Sequence, residues 1–154
     1  MSRRQSVDLP FAEARKQGQV VCVWRGGTLP SRRHRWCSTR CVLTYQIARG
    51  DQGAARKWLE YWDRGALHEP MPCEACGLDM SRRAINDRLA AEPEDQRRKL
   101  ARADRHNWDA DHRIPLAEGG TKTPDNLRVL CRPCHKAETA KLRARLAEAR
   151  RSRA

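Results

Sequence analysis

Asp111-His112, Asn126 and His135 fall within one short stretch, WDADHRIPLAEGGTKTPDNLRVLCRPCH over 108–135, which also contains Cys131-x-x-Cys134. A second pair, Cys73-Glu74-Ala75-Cys76, stands upstream. Residues of these types suit phosphodiester hydrolysis. That reaction needs an activated water, a cation against the charge developing on phosphate and leaving oxygen, and a rigid mount. His112 is a general-base candidate at neutral pH. Asp111 and His135 can share a divalent cation. Asn126 sits in the turn before a second strand, where its amide can bond backbone and hold the His112 strand in register. Side chains alternate along a strand, so Asp111 and His112 point to opposite sides. One can ligate the ion while the other addresses the water where the strand bends.

The four cysteines 73, 76, 131 and 134 form two Cys-x-x-Cys knuckles, the donor set of a closed tetrahedral structural zinc site. Pro72 before the first pair and Gly77 after it favour tight turns. A redox role needs only one such pair. Cys22, Cys37 and Cys41, with His34, suggest a second zinc site, although Arg25 occupies the slot where Cys-x-x-Cys spacing would place a partner for Cys22. The other reading makes these three cysteines small buried side chains beside Trp36.

The elements that must carry these residues are legible in outline. The pattern from Trp108 reads as a hairpin: WDADHRIPL, a turn around Glu118-Gly119-Gly120, then Leu127 to Leu130. Pro133 suits the first turn of a final helix running to about Arg150, with Leu142, Leu146 and Ala149 as its apolar stripe. Upstream, Val20 to Trp24 reads as a short strand closed by Gly26-Gly27. Ser38 caps a helix expected to bury Cys41, Val42, Tyr45 and Ala48. A helix over 53–63 carries Ala55, Trp58, Leu59 and Trp62 at core spacing. Between the first knuckle and the hairpin, residues 77–107 read as a helical insertion. Ser81 caps it, Ile85 and Leu89 face inward, Pro93 interrupts, and the helix resumes over 96–103. The fold class is α+β: a small zinc-stabilised hairpin-and-helix core with flanking helices.

The chain has 154 residues, enough for a modest core, and only 39% of them are hydrophobic, with five tryptophans supplying much of the bulk. Such a composition needs a staple, which a metal provides. A formal net charge of +13 implies a polyanionic partner, nucleic acid foremost. No apolar run approaches a membrane span and no charged-then-apolar leader opens the chain, so the expected protein is soluble and intracellular, with its thiols reduced.

The order DH…PL…GG…NL..LC..CH resembles the signature of the HNH endonuclease family, over roughly residues 70–142. RWCSTRC, PCEACGLD and the long interval before WDADH further resemble standalone bacterial and phage HNH proteins, and the HNH domain that ends the zinc-finger annealing helicases. The resemblance implies a ββα-metal fold, His112 as general base, and Mg²⁺ or Mn²⁺ on Asp111 and His135. It further implies Asn126 orienting the base, structural zinc on cysteines 73, 76, 131 and 134, and products ending in a 3′-hydroxyl. Arg25 departs from the relatives' pattern at the second zinc site.

The expected organisation is a basic lead-in over 1–20, a cysteine-containing helical region over 21–65, a nuclease domain over 66–142 and a basic helical tail over 143–154. The function read here is metal-dependent endonucleolytic hydrolysis of DNA. The alternatives are a non-catalytic zinc-stabilised DNA-binding module and a ribonuclease using the same centre. Arg113, Lys122, Arg128, Arg132 and Lys136 are the candidates for phosphate contacts. The expected location is cytoplasmic, in a bacterial or phage-infected cell and on the nucleoid when DNA is bound, with a partner protein as one source of specificity.

Overall fold

The computed structural model describes residues 9–30, 35–63, 70–104 and 107–152. Residues 1–8 of the lead-in, residues 31–34 including His34, and Arg153 lie outside the described residues. So do the side chains of Trp62 and Ala103. The chain divides into two compact units: residues 1–58 with 122–125, and residues 59–121 with 126–154.

The first unit begins with helix α1 (Ala12–Lys16). Val20 to Trp24 does not form a strand. A single bridge joins Val21 to Thr28, and the segment between them turns back through Gly26 at φ 73°. That conformation is cheap only for glycine. Helix α2 (Thr39–Ala48) starts at Ser38, whose Oγ accepts the Cys41 N–H at 3.3 Å. It buries Cys41, Leu43 and Ile47 rather than the expected Cys41, Val42, Tyr45 and Ala48 stripe. The cause lies in its neighbours. Tyr45 is half-buried against Trp24 and Trp36, with ring centroids 5.8 and 5.0 Å away, while helix α3 (Gln52–Trp58) covers another flank. Asp51 Oδ1 caps α3 by accepting the Ala54 N–H at 3.0 Å. Ala54, Ala55 and Trp58 are buried.

The second unit opens with a π-helical turn, Leu59–Asp63, so the helix expected over 53–63 changes its winding after Trp58. Leu59 is fully buried. Helix α4 (Arg82–Ala90) is capped by Ser81, whose Oγ accepts the Ala84 N–H at 3.2 Å. Helix α5 (Glu94–Asp104) follows directly on Pro93. Ile85 and Leu89 are half-buried rather than core. Strands β1 (Trp108–His112) and β2 (Leu127–Cys131) pair antiparallel, with register from Trp108↔Cys131 to His112↔Leu127. Helix α6 (Arg132–Arg151) packs on both strands and continues unbroken across position 142. The core of this unit is Leu59, Met71, Cys73, Met80, Trp108, Ala110, Leu127, Val129, Leu130 and Cys131. The molecule is α+β, with its one described sheet a two-stranded hairpin followed by a helix.

Candidate metal and catalytic site

Strand β1 sorts its residues by the pleat. Trp108 and Ala110 are buried on one face, and Asp109 and Asp111 share the other, half-exposed. The first turn of α6 sets His135 against that acidic face. His135 Nδ1 lies 3.2 Å from Asp109 Oδ2, and its Nε2 lies 3.9 Å from Asp111 Oδ1. Contact with the Asp109 carboxylate favours the tautomer with its proton on Nδ1, which leaves the Nε2 lone pair towards Asp111. The second oxygen of Asp111 is held by Arg128, its partner across the hairpin: Nε and one terminal nitrogen donate to Oδ2 at 3.0 and 2.7 Å. Arg128 also lies 3.8 Å from Glu138 of α6.

Asp111 Oδ1 and His135 Nε2 therefore face one another, each free of the contacts that fix its other atom. Divalent cations take imidazole nitrogen and carboxylate oxygen at about 2.0–2.2 Å. A gap of 3.9 Å fits one such ion between the two donors. Asp109 escaped the sequence reading. Its signal was present in the alternation Asp109-x-Asp111, but its use depends on which strand face receives α6.

His112 ends β1 opposite Leu127 and is half-buried. It is the last residue of the strand, where β1 gives way to the loop. Immediately beyond it the loop 113–126 is pinned by Asn126, only 8% exposed. Asn126 Oδ1 accepts the Ile114 N–H at 2.9 Å, and its Nδ2 donates to the carbonyls of Ile114 (2.9 Å) and Thr121 (2.8 Å). The Asn126 carbonyl accepts the Arg113 N–H at 2.8 Å. Gly120 passes so close to the Ile114 carbonyl that any β-carbon would collide with it. The amide side chain thus works as a clasp across the base of the loop that follows His112.

The sulfur atoms of Cys73, Cys76, Cys131 and Cys134 all lie within 4.8 Å of one another. The first knuckle turns at Gly77 (φ 75°), with the Cys73 N–H bonding Leu78 O and the Gly77 N–H bonding Cys73 O, both at 2.8 Å. The Glu74 N–H reaches Val129 O of β2 at 2.9 Å, tying knuckle to hairpin. Asp79 braces the exit, accepting the N–H groups of Met71 and Ser81 at 2.8 Å and the Ser81 hydroxyl at 3.1 Å. Burial opposes ionisation of Cys73, but N–H groups of Cys131, Ala75 and Cys76 and the Cys76 thiol outweigh it and bring the thiol down to about 6. Cys134 is pushed up to about 12, chiefly by the adjoining Cys131 and Cys76 sulfurs. Four crowded thiols resist losing all their protons together, so a cation among them is what lets them ionise as a set. The donor set fits zinc.

Cys22, Cys37 and Cys41 also bring their sulfurs within 4.8 Å of one another. His34, expected beside them, lies outside the described residues. Of the basic candidates, Arg113 is engaged with Glu74 at 2.6 Å, and Arg128 with Asp111. Lys122 is half-buried, whereas Arg132 and Lys136 are exposed one turn apart at the start of α6.

Among the described residues, no helix is long and apolar enough to cross a membrane. Over 137 residues the chain is 28% identical to the mouse (Mus musculus) protein named DNA annealing helicase and endonuclease ZRANB3. That alignment covers 76% of this chain and 12% of the relative, so the chain spans about an eighth of the relative's length. No solved structure matches. The family model described as HNH endonuclease matches residues 98–141, which hold β1, β2 and the histidine-bearing first turns of α6. Residues 98–141 of this chain are thus similar to an HNH endonuclease domain.

Proposed function

We propose that the chain is a metal-dependent DNA endonuclease. His112 is its general base, Asp111 and His135 bind a catalytic Mg²⁺ or Mn²⁺, and zinc sits on Cys73, Cys76, Cys131 and Cys134. The observation that carries this reading is the opposition of Asp111 Oδ1 and His135 Nε2 at 3.9 Å, with every other donor atom of the two side chains fixed by Asp109 or Arg128. A bound divalent ion supplies a charge that stabilises the developing oxyanion of the phosphate and leaving group. His112 removes the proton of the attacking water. Asn126 acts one step away: it fixes the loop leaving β1 and so fixes where the end of that strand lies. Asp109 holds the His135 ring, and Arg128 holds the Asp111 carboxylate. The four cysteines join the knuckle, β2 and α6, so the histidine following Cys134 is mounted on the zinc frame.

A nucleic acid is the proposed substrate on charge grounds, and DNA in particular on the likeness to a relative named as a DNA annealing helicase and endonuclease. A chain with a formal charge of +13 concentrates on a polyanion, and such binding weakens steeply with salt. The test is cleavage of supercoiled plasmid with Mg²⁺ or Mn²⁺, beside a sample with chelator and a single-stranded RNA of matched length. Divalent-dependent conversion of plasmid supports the reading. Cleavage of the RNA alone assigns the centre to ribonuclease chemistry, and cutting undiminished by chelator contradicts the metal.

A further inference from the structure

The loop carrying Cys22 repeats the bridge, the backbone hydrogen bonds and the glycine turn of the Cys73 knuckle. In one, Val21 bridges Thr28; in the other, Pro72 bridges Asp79. The Cys22 N–H bonds Gly27 O at 2.9 Å and the Gly26 N–H bonds Cys22 O at 2.8 Å. The equivalent bonds of the other loop run from Cys73 N–H to Leu78 O and from Gly77 N–H to Cys73 O, both at 2.8 Å. The two glycines share a left-handed φ, 73° at Gly26 and 75° at Gly77. In this alignment Arg25 stands where Cys76 stands. The second halves correspond as well. Cys131 and Cys134 flank the start of α6, and Cys37 and Cys41 flank the start of α2.

The sulfurs complete the likeness. Those of Cys22, Cys37 and Cys41 converge within 4.8 Å, and Cys37 and Cys41 approach to 3.3 Å. Cys22 and Cys41 are buried at 0% and 1% exposure, with Leu29, Trp24 and Trp36 packed around the group. Cysteines serving only as small apolar side chains have no need of a knuckle turn that aims their sulfurs at one point. Among the described residues of the first unit, few large apolar side chains are buried, the situation in which a metal staple contributes most.

We propose that Cys22, Cys37 and Cys41 hold a second zinc ion, bound by three thiolates, with its fourth vertex taken by a ligand other than cysteine. Soft thiolates select zinc over the hard ions of phosphodiester chemistry, so this centre is separate in kind from the one at Asp111 and His135. Its role is to hold the Cys22 loop to α2 within the first unit.

The experiment is elemental analysis of the full chain purified under reducing conditions, beside Cys37→Ser and Cys76→Ser. The expected result is two zinc ions per chain in the parent and one in each variant. One ion in the parent that survives Cys37→Ser overturns the second site and leaves the four-cysteine frame standing. Loss confined to Cys37→Ser overturns the frame instead. A Cys37–Cys41 disulfide in the purified chain also overturns the proposal. If Cys37→Ser does not fold, Co²⁺ titration of the parent decides. Thiolate-to-cobalt absorption growing to two equivalents supports the site, and saturation at one contradicts it.

Discussion

Asp109 Oδ2 lies 3.2 Å from His135 Nδ1, across the gap between strand β1 and the first turn of α6. The contact sets the imidazole's orientation and its tautomer together, so Nε2 faces Asp111 as an acceptor. A carboxylate behind a ligating histidine commonly governs metal affinity about 10–100-fold. Asp109→Ala is therefore expected to weaken Mn²⁺ binding by about that factor while the protein stays folded. Calorimetric titration of Mn²⁺ against parent and variant measures it; unchanged affinity removes Asp109 from the site.

Asn126 makes three side-chain hydrogen bonds at 2.8–2.9 Å while only 8% exposed. In Asn126→Asp the two donor bonds to the Ile114 and Thr121 carbonyls disappear and a carboxylate is buried against them. A loss on the order of 2–4 kcal/mol is expected from broken bonds and unsatisfied buried groups. Chemical denaturation reads the change. A variant as stable as the parent would show that the loop 113–126 does not depend on this clasp.

The candidate centre is legible in the chain because its residues are close together in sequence and differ in chemical type. Asp111, His112, Asn126 and His135 stand out without a fold. Asp109 does not, since an acidic residue in a half-exposed strand is ordinary until α6 is known to dock on that face. Arg128 read as a phosphate contact because its charge is visible in sequence. Its pairing with Asp111 follows only from the hairpin register. The apolar run at Val20–Trp24 read as a strand, yet Gly26 bends it into a knuckle. The recurring spacing Cys22-x3-Gly26 and Cys73-x3-Gly77 was the available signal for that turn. The burial of α2 departed from a simple stripe because aromatic rings and α3 cover different flanks, which periodicity alone does not encode.

Asp79 gives the second unit a defined acid sensitivity. Burial opposes its ionisation, but the N–H groups of Met71 and Ser81, the Ser81 hydroxyl and Arg88 outweigh that and hold the carboxyl below the usual carboxylate range. Its folded value is depressed, so its stabilising contribution is complete above the unfolded value near ~3.9 and fades as pH falls through the folded value. Asp79→Asn should therefore cost stability at neutral pH, and the gap between variant and parent should narrow on acidification. Thermal unfolding across that pH range tests the sign. A gap that widens towards low pH contradicts it.

Arg132 and Lys136 are exposed on neighbouring turns of α6, beside His135. Each is expected to meet a phosphate, so neutralising either should weaken DNA binding alike across sequences and lower the salt slope by about one. Binding isotherms at several salt concentrations decide. An unchanged slope places both side chains outside the interface.

In the proposed mechanism, His112 activates the water at a centre whose metal is held by Asp111 and His135. Cleavage of plasmid by His112→Ala, with Mn²⁺ present and zinc content and helicity verified, addresses it most directly. Loss of a general base typically costs about 10²–10⁴-fold in rate, so cutting should fall at least ~100-fold in a folded, zinc-loaded protein. Cutting at the parental rate by that same protein would contradict the account.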